Sequence, residues 1–282
     1  LVLQADRVFG SSWTLRVMAL PADLSDRLFE TTDRLGPFAR AVRHCREVGS
    51  TNDVVARLAE LGAPHGTVVV ADTQTAGRGR HGNSWFSPSG SGLYLSVLVR
   101  TSSSPVLTLA TGVAVAEALR KTTVLDATLK WPNDVVVALS SGSSLKVAGI
   151  LAETSTVQGL VDHVVVGIGI NLTDAAWPAG LIGLAGSVEG LTGCSVNPAV
   201  LLVELLASFA HRCDELESGK IADLLKAWEA LAPSSRGAKV EWSVGKVRHR
   251  GVTEGVDKNG ALLVRVGSRL ERLIGGQVRQ VR

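Results

Sequence analysis

A chain of 282 residues that is 45% hydrophobic and 20% charged has ample apolar material for a core, and its length suits a large domain plus a small one. Its formal net charge of +3 is too small to imply nucleic-acid binding. The three cysteines, Cys45, Cys194 and Cys213, are widely spaced with no CxxC pair, which suits reduced thiols in a cytoplasm and argues against a disulfide framework or a structural zinc site.

No apolar stretch approaches the ~18 uninterrupted residues of a membrane span. The first twenty residues are broken by Asp6, Arg7 and Arg16, unlike a signal peptide. No membrane association is therefore expected.

Residues 1–43 are the least periodic part and are expected to be a poorly defined N-terminal extension; residues 24–29 predict the start of a short amphipathic helix. About 40 residues are too few for a winged-helix DNA-binding domain, and two helices across a tight turn cannot be placed there. Met18 is the only methionine, so residues 1–17 are expected to be an upstream extension. From Thr51, Val54, Val55, Leu58 and Leu61 keep helical spacing and Gly62 stops the helix, with Ser50 or Thr51 as its N-cap.

The β-branched run 67–71 predicts a buried strand that leads to Gln74, and residues 93–99 predict another. Residues 106–119, rich in Ala and Leu, predict a helix packed on the sheet. Further strands are expected at 127–131, 135–139, 146–153 and 163–170, with 140–144 as a hairpin loop. Neighbouring strands joined by short turns argue for an α+β fold with a mixed, mostly antiparallel sheet and helices. Helices at 198–216 and 221–231 close this domain, expected to span residues 44–232.

Pro233-Ser234-Ser235 marks a boundary before short alternating strands at 239–244, 246–256, 261–266 and 270–273. Asp257-Lys258-Asn259-Gly260 carries the Asn-Gly signal of a hairpin turn. So small a set of strands, over 236–282, fits a small barrel. That segment holds eleven Lys/Arg against four Asp/Glu, a net +7, so the remainder carries −4.

The most informative motif is Gly77-Arg78-Gly79-Arg80-His81-Gly82-Asn83-Ser84-Trp85. Glycines let the backbone approach a ligand, and guanidinium forks fit carboxylates and phosphates. A surface turn with solvated arginines is the plainer reading of GRGR alone. Trp85 suits stacking on a flat ligand, or equally a core indole. Lys146 opens an apolar strand, where a lysine is commonly a solvated rim residue. Lys130-Trp131-Pro132-Asn133-Asp134 reads locally as a turn at a strand end. Gly167-Ile168-Gly169-Ile170-Asn171 lacks the third glycine and following helix of a dinucleotide fingerprint, and no P-loop occurs. The six histidines form no metal-like or nucleophile-activating constellation.

Taken in order, Gly49-Ser50-Thr51-Asn52, the arginine loop, KWPND, Lys146-Val147-Ala148-Gly149-Ile150-Leu151-Ala152-Glu153 and GIGIN resemble the biotin protein ligases, over a span from about Ser50 to the C-terminus. One departure is Asn83, where the family usually carries a third loop arginine. The resemblance implies a class II synthetase-like ligase core followed by an SH3-like domain. It also implies a two-step reaction. Biotin attacks the α-phosphorus of ATP to give biotinyl-5′-AMP and pyrophosphate, and a lysine of a biotin carboxyl carrier domain then takes the biotinyl group.

The resemblance assigns Lys146 and Arg80 to catalysis. It assigns Ser50, Thr51, Asn52, Gln74, Arg78, Gly79, Arg80 and Lys146 to biotin, and Arg78, Trp85, Lys130, Asn133, Asp134 and Asn171 to ATP. Mg²⁺ is implied with ATP, with Asp134 either helping to hold it or orienting Lys146. A homodimer is left open. The rival readings are a lipoate or octanoyl ligase of the same fold, a biotin-sensing transcription repressor, and a non-enzymatic binding module. KWPND, KVAGIL and the C-terminal barrel favour biotin; the short N-terminus disfavours the repressor; and Arg78, Arg80 and Lys146 disfavour the module.

Overall fold

Apolar and β-branched runs that alternate inward and outward dictate most of the architecture. The computed structural model describes residues 7–8, 14–100 and 106–281. Two short antiparallel strands, β1 (Arg7–Val8) and β2 (Thr14–Leu15), precede the main fold. Most of residues 1–17, expected as an upstream extension, lies outside the described residues.

The helix expected near Leu24 is α1 (Ala22–Glu30), followed by the short α2 (Thr32–Leu35) and a 3-10 turn over Gly36–Ala39. Leu24, Leu28, Leu35 and Phe38 are buried in the main core, with Phe38 edge-on to Phe209 at 5.1 Å. This segment is thus part of the packed fold, not a loose extension.

The large sheet contains β3 (Val42–Val48), β4 (Val68–Gln74), β5 (Gly92–Val99), β6 (Ala127–Lys130), β7 (Asp134–Ala138), β8 (Ser144–Val157) and β9 (Leu160–Asn171). Their order is β3-β4-β5-β9-β8-β7-β6, with only β3 and β4 parallel. The mixed, mostly antiparallel α+β fold expected from the sequence is what the chain adopts.

Side chains alternate across the sheet with period two. Val68, Val70, Leu95, Val97 and Val99 join the main core, with α4 (Leu107–Thr122) and the helices α6 (Pro198–Glu217) and α7 (Ile221–Leu231), which come after the short α5 (Val188–Thr192). Val69, Ala71 and Leu98 face the other way, onto Val54, Val55 and Leu58 of α3 (Thr51–Glu60). Ser96 shares that second face, and this register delivers a polar atom to the start of α3.

The C-terminal strands are β10 (Arg236–Val244), β11 (Val247–Val256), β12 (Leu262–Val266), β13 (Arg269–Leu273) and β14 (Val278–Gln280). They form an antiparallel sheet ordered β13-β12-β11-β10-β14, consistent with an SH3-like domain. Val240, Trp242, Leu262 and Val264 bury into the same core as Trp131 and Trp228. Trp131 also donates its indole N–H to the Gly260 carbonyl at 2.9 Å, so the small sheet is fastened beside the KWPND turn. Among the described residues no helix is long and apolar enough to cross a membrane.

Candidate active site

A cavity of about 280 Å³ opens at the start of α3, between the arginine loop, the ends of β6 to β9 and the segment around β14. It gathers Ser50, Thr51, Asn52, Gln74, Arg78, Gly79, Arg80, Trp85, Lys130, Asn133, Asp134 and Lys146, so twelve of the thirteen residues expected for the site line it.

Its floor is a closed polar network. The Gln74 side-chain oxygen accepts from the Thr51 backbone N–H at 2.9 Å and its hydroxyl at 3.1 Å, while the amide nitrogen donates to Ser87 at 3.0 Å. Gln74, rather than Ser50 or Thr51, therefore satisfies a free N–H at the start of α3; Ser50 makes no side-chain capping bond. Ser96 Oγ lies 2.7 Å from the Thr51 hydroxyl and 2.6 Å from the Asn52 oxygen, and the Asn52 amide donates to Glu153 at 2.5 Å. Ser50 is buried on this wall with no hydrogen bond to its hydroxyl among the described residues, which leaves it available to a ligand.

The arginine loop is closed by backbone bonds from Gly79 N to Asn83 O at 2.7 Å and from Trp85 N to Gly77 O at 2.8 Å. It turns through His81 (φ 57°) and Gly82 (φ 77°), the left-handed region that glycine tolerates at no cost. The two forks face different surroundings. Arg78 engages Asp53 at 2.7 Å and Glu153 at 3.1 Å, and the hydrogen bond it donates to Asp53 raises its pKa further. Arg80 is half-buried, donates to the Asn133 side-chain oxygen at 3.3 Å and makes no ion pair among the described residues; desolvation lowers its pKa, opposed by Asp134. It stays charged, because a guanidinium does not deprotonate near neutral pH.

Lys146 Nζ lies 2.6 Å from Asp134 Oδ1 and 5.1 Å from the centre of the Trp85 ring. Asp134 is the sole carboxylate lining the cavity among the described residues. The glycines of GIGIN serve the protein's own side chains. A Cβ at Gly169 would enter the Trp85 indole, and one at Gly167 would overlap the Asn52 amide.

These features find close counterparts among known proteins. Residues 45–171 match the biotin/lipoate A/B protein ligase family. The biotin–[acetyl-CoA-carboxylase] ligase of Paracoccus denitrificans is 36% identical over 231 residues, covering 77% of this chain and 90% of that protein. This chain belongs to the biotin protein ligases. The bifunctional ligase/repressor BirA of Escherichia coli is 30% identical over 82% of this chain and 71% of its own length. The biotin protein ligase of Aquifex aeolicus, in complex with biotin and ATP, superimposes with a TM-score of 0.73 at 29% identity, covering 86% of this chain and 99% of that one.

One residue of this ligase is not where the sequence reading puts it. Asn171 is buried outside the cavity, and its amide donates to the Gly186 carbonyl at 3.0 Å and, more weakly, to that of Lys146 at 3.4 Å. Its donors hold the 186 loop against β8. Conversely, Ser96, Asp53, Gln277 and Arg279 belong to the site or its support and went unread. A lone serine in the apolar strand Gly92–Val99 was the available signal for Ser96; Gln277 and Arg279 lie in a terminal segment more than a hundred residues beyond Gly169, the last cavity residue of the large sheet, and carried none.

Proposed function

We propose that this enzyme joins biotin to ATP as biotinyl-5′-AMP, with release of pyrophosphate, and passes the biotinyl group to a lysine amine of a biotin carboxyl carrier domain. The observation that carries the reading is the charge arrangement of one cavity. Lys146, Arg80 and Lys130 converge on it with a single carboxylate, Asp134, beside a polar wall of Ser50, Thr51, Asn52 and Gln74. Two anions must meet for the first step, and cations fixed in advance lower the cost of bringing them together.

In this scheme the polar wall takes the ureido ring of biotin, and Lys146 holds its carboxylate and then the adenylate phosphate. Asp134 orients Lys146. Arg80 spans the two substrates, Asn133 and Lys130 take the nucleotide end, and Trp85 and Gly79 cover the intermediate. Arg78 bridges Asp53 and Glu153, linking the loop to α3 and β8 around the biotin pocket.

A lone carboxylate with phosphates as the remaining ligands is the usual donor set for Mg²⁺, and Asp134 offers its second oxygen for that role. The ion, when bound, supplies neutralisation of phosphate charge. The catalytic unit is assigned to residues 44–232 and the carrier-facing unit to 236–282.

The test is incubation with ATP, Mg²⁺ and either biotin or lipoate, reading pyrophosphate release and the mass of a carrier domain. Biotin-dependent pyrophosphate and one biotinyl group on the carrier are expected. Lipoyl transfer, or no pyrophosphate with biotin, would overturn the assignment.

A further inference from the structure

The arginine loop is attached to the rest of the molecule by few contacts. Arg78 and residues 81–84 are exposed. The backbone hydrogen bonds from Gly79 to Asn83, from Asn83 to Arg80 and from Trp85 to Gly77 all stay inside the loop. Among the described residues, the hydrogen bonds that leave 78–84 come from two side chains only. Arg80 donates to Asn133 at 3.3 Å, and Arg78 donates to Asp53 and Glu153.

Arg78 makes the stronger attachment. Its Nη1 donates to Asp53 Oδ2 and its Nη2 meets Oδ1, both at 2.7 Å, a pairing of fork on fork. Glu153 adds a second carboxylate at 3.1 Å. Asp53 stands in the first turn of α3, where the helix dipole favours a negative charge, so the anchor belongs to a rigid element. Neither carboxylate lines the cavity. The Arg78 fork is thus filled by the protein's own acids, while Arg80 makes no ion pair among the described residues and is left to substrate. Asp53 is 61% and Arg78 38% exposed, and ion pairs in such surroundings are weak. A weak tether can hold the loop over a reactive mixed anhydride and still open within each turnover. Glu153 also takes the Asn52 amide of the polar wall, so Asp53 is the member whose removal leaves that wall intact.

We propose that Asp53 is a positioning residue that latches the arginine loop through Arg78, and thereby sets how long biotinyl-5′-AMP stays on the enzyme before transfer. This rests on the adenylation reading above.

Dissociation of biotinyl-5′-AMP from the loaded enzyme tests this. Asp53→Ala should speed it about three- to fivefold, Asp53→Lys about tenfold because it repels Arg78, and Asp53→Glu should stay within about twofold of wild type. At about 1 M salt, where the Debye length is ~3 Å, the effect of Asp53→Ala should shrink below about twofold. Single-turnover adenylate formation and the melting temperature should match wild type, whereas a merely structural role would move both. Dissociation unchanged in Asp53→Ala and Asp53→Lys, a difference that persists at high salt, or an equal loss in adenylate formation would each overturn the proposal. If the wild-type enzyme forms no adenylate, the adenylation reading fails, and hydrogen exchange in the ligand-free enzyme then judges the latch. Asp53→Lys should raise exchange at the Gly79, Asn83 and Trp85 amides by about threefold or more. Exchange equal to wild type there would reject the latch by itself.

Discussion

The Lys146 ammonium is held between the Asp134 carboxylate, 2.6 Å away, and the face of Trp85, 5.1 Å from its centre. A flexible lysine is thereby fixed in advance at the place where two anions are proposed to meet. Lys146→Ala should lower adenylate formation by ~10²–10³-fold, the scale of losing one preorganised charge. Asp134→Asn should cost about tenfold, mainly in kcat, because the charge survives but its aim is lost. Single-turnover pyrophosphate release checks both; Lys146→Ala activity within tenfold of wild type would remove Lys146 from the chemistry.

The indole of Trp85 occupies space that exists only because residue 169 is glycine. Gly169→Ala should push the indole off β9 and carry the Lys146 contact with it. Since β9 remains paired on both sides with β5 and β8, the fold should persist. Biotin affinity is expected to fall by about tenfold or more. Far-ultraviolet circular dichroism alongside a biotin titration checks this, and unaltered binding would show that Trp85 is not part of the ligand wall.

The +7 C-terminal segment is less bare than its composition suggests. Arg236, Arg250, Arg265 and Arg272 pair with Glu229, Glu241, Glu254 and Asp257, while Lys239 and Lys246 have no ion pair among the described residues. Reversing Lys239 and Lys246 to Glu should raise the KM for an acidic carrier and flatten its salt dependence, with adenylate synthesis unchanged. Carrier kinetics that stay the same at low salt would show that this charge does not steer docking.

Burial pushes the Cys45 thiol up to about 11 and the Cys213 thiol up to about 12, while Cys194 is exposed. At pH 8 only Cys194 should react with a thiol alkylator in the folded protein, and mass spectrometry should find a single adduct. Both buried pKa values lie above the ordinary 9.0, so the neutral thiols favour the folded state below that value. That contribution should diminish as pH rises through the window from 9 to about 11–12. A melting temperature that rose across this window in the wild type but not in Cys45→Ala would contradict the sign.

Much of the fold was legible because its signals are local. The β-branched run before Gln74, the Ala- and Leu-rich stretch of α4 and the Asn259-Gly260 turn each announce themselves within a few residues, since hydrophobic period and turn chemistry act at that range. The sequence likewise determined which side chains could clamp anions: two arginines on a glycine loop, Lys130 and Lys146. Only tertiary structure decided what each of them touches. Residues 22–39 gain their place from Phe209 and the rest of a remote core, not from a strong pattern of their own. Asn171 is visible in the sequence only as the end of a motif, and the fold decides that its amide donates to the Gly186 carbonyl. Arg279 sits in a short terminal strand with no motif, and reaches the cavity because Trp131 and the shared core dock the small sheet there. Chain-distant packing and hydrogen bonding settle such partnerships, and their energy depends on surroundings that no local window contains.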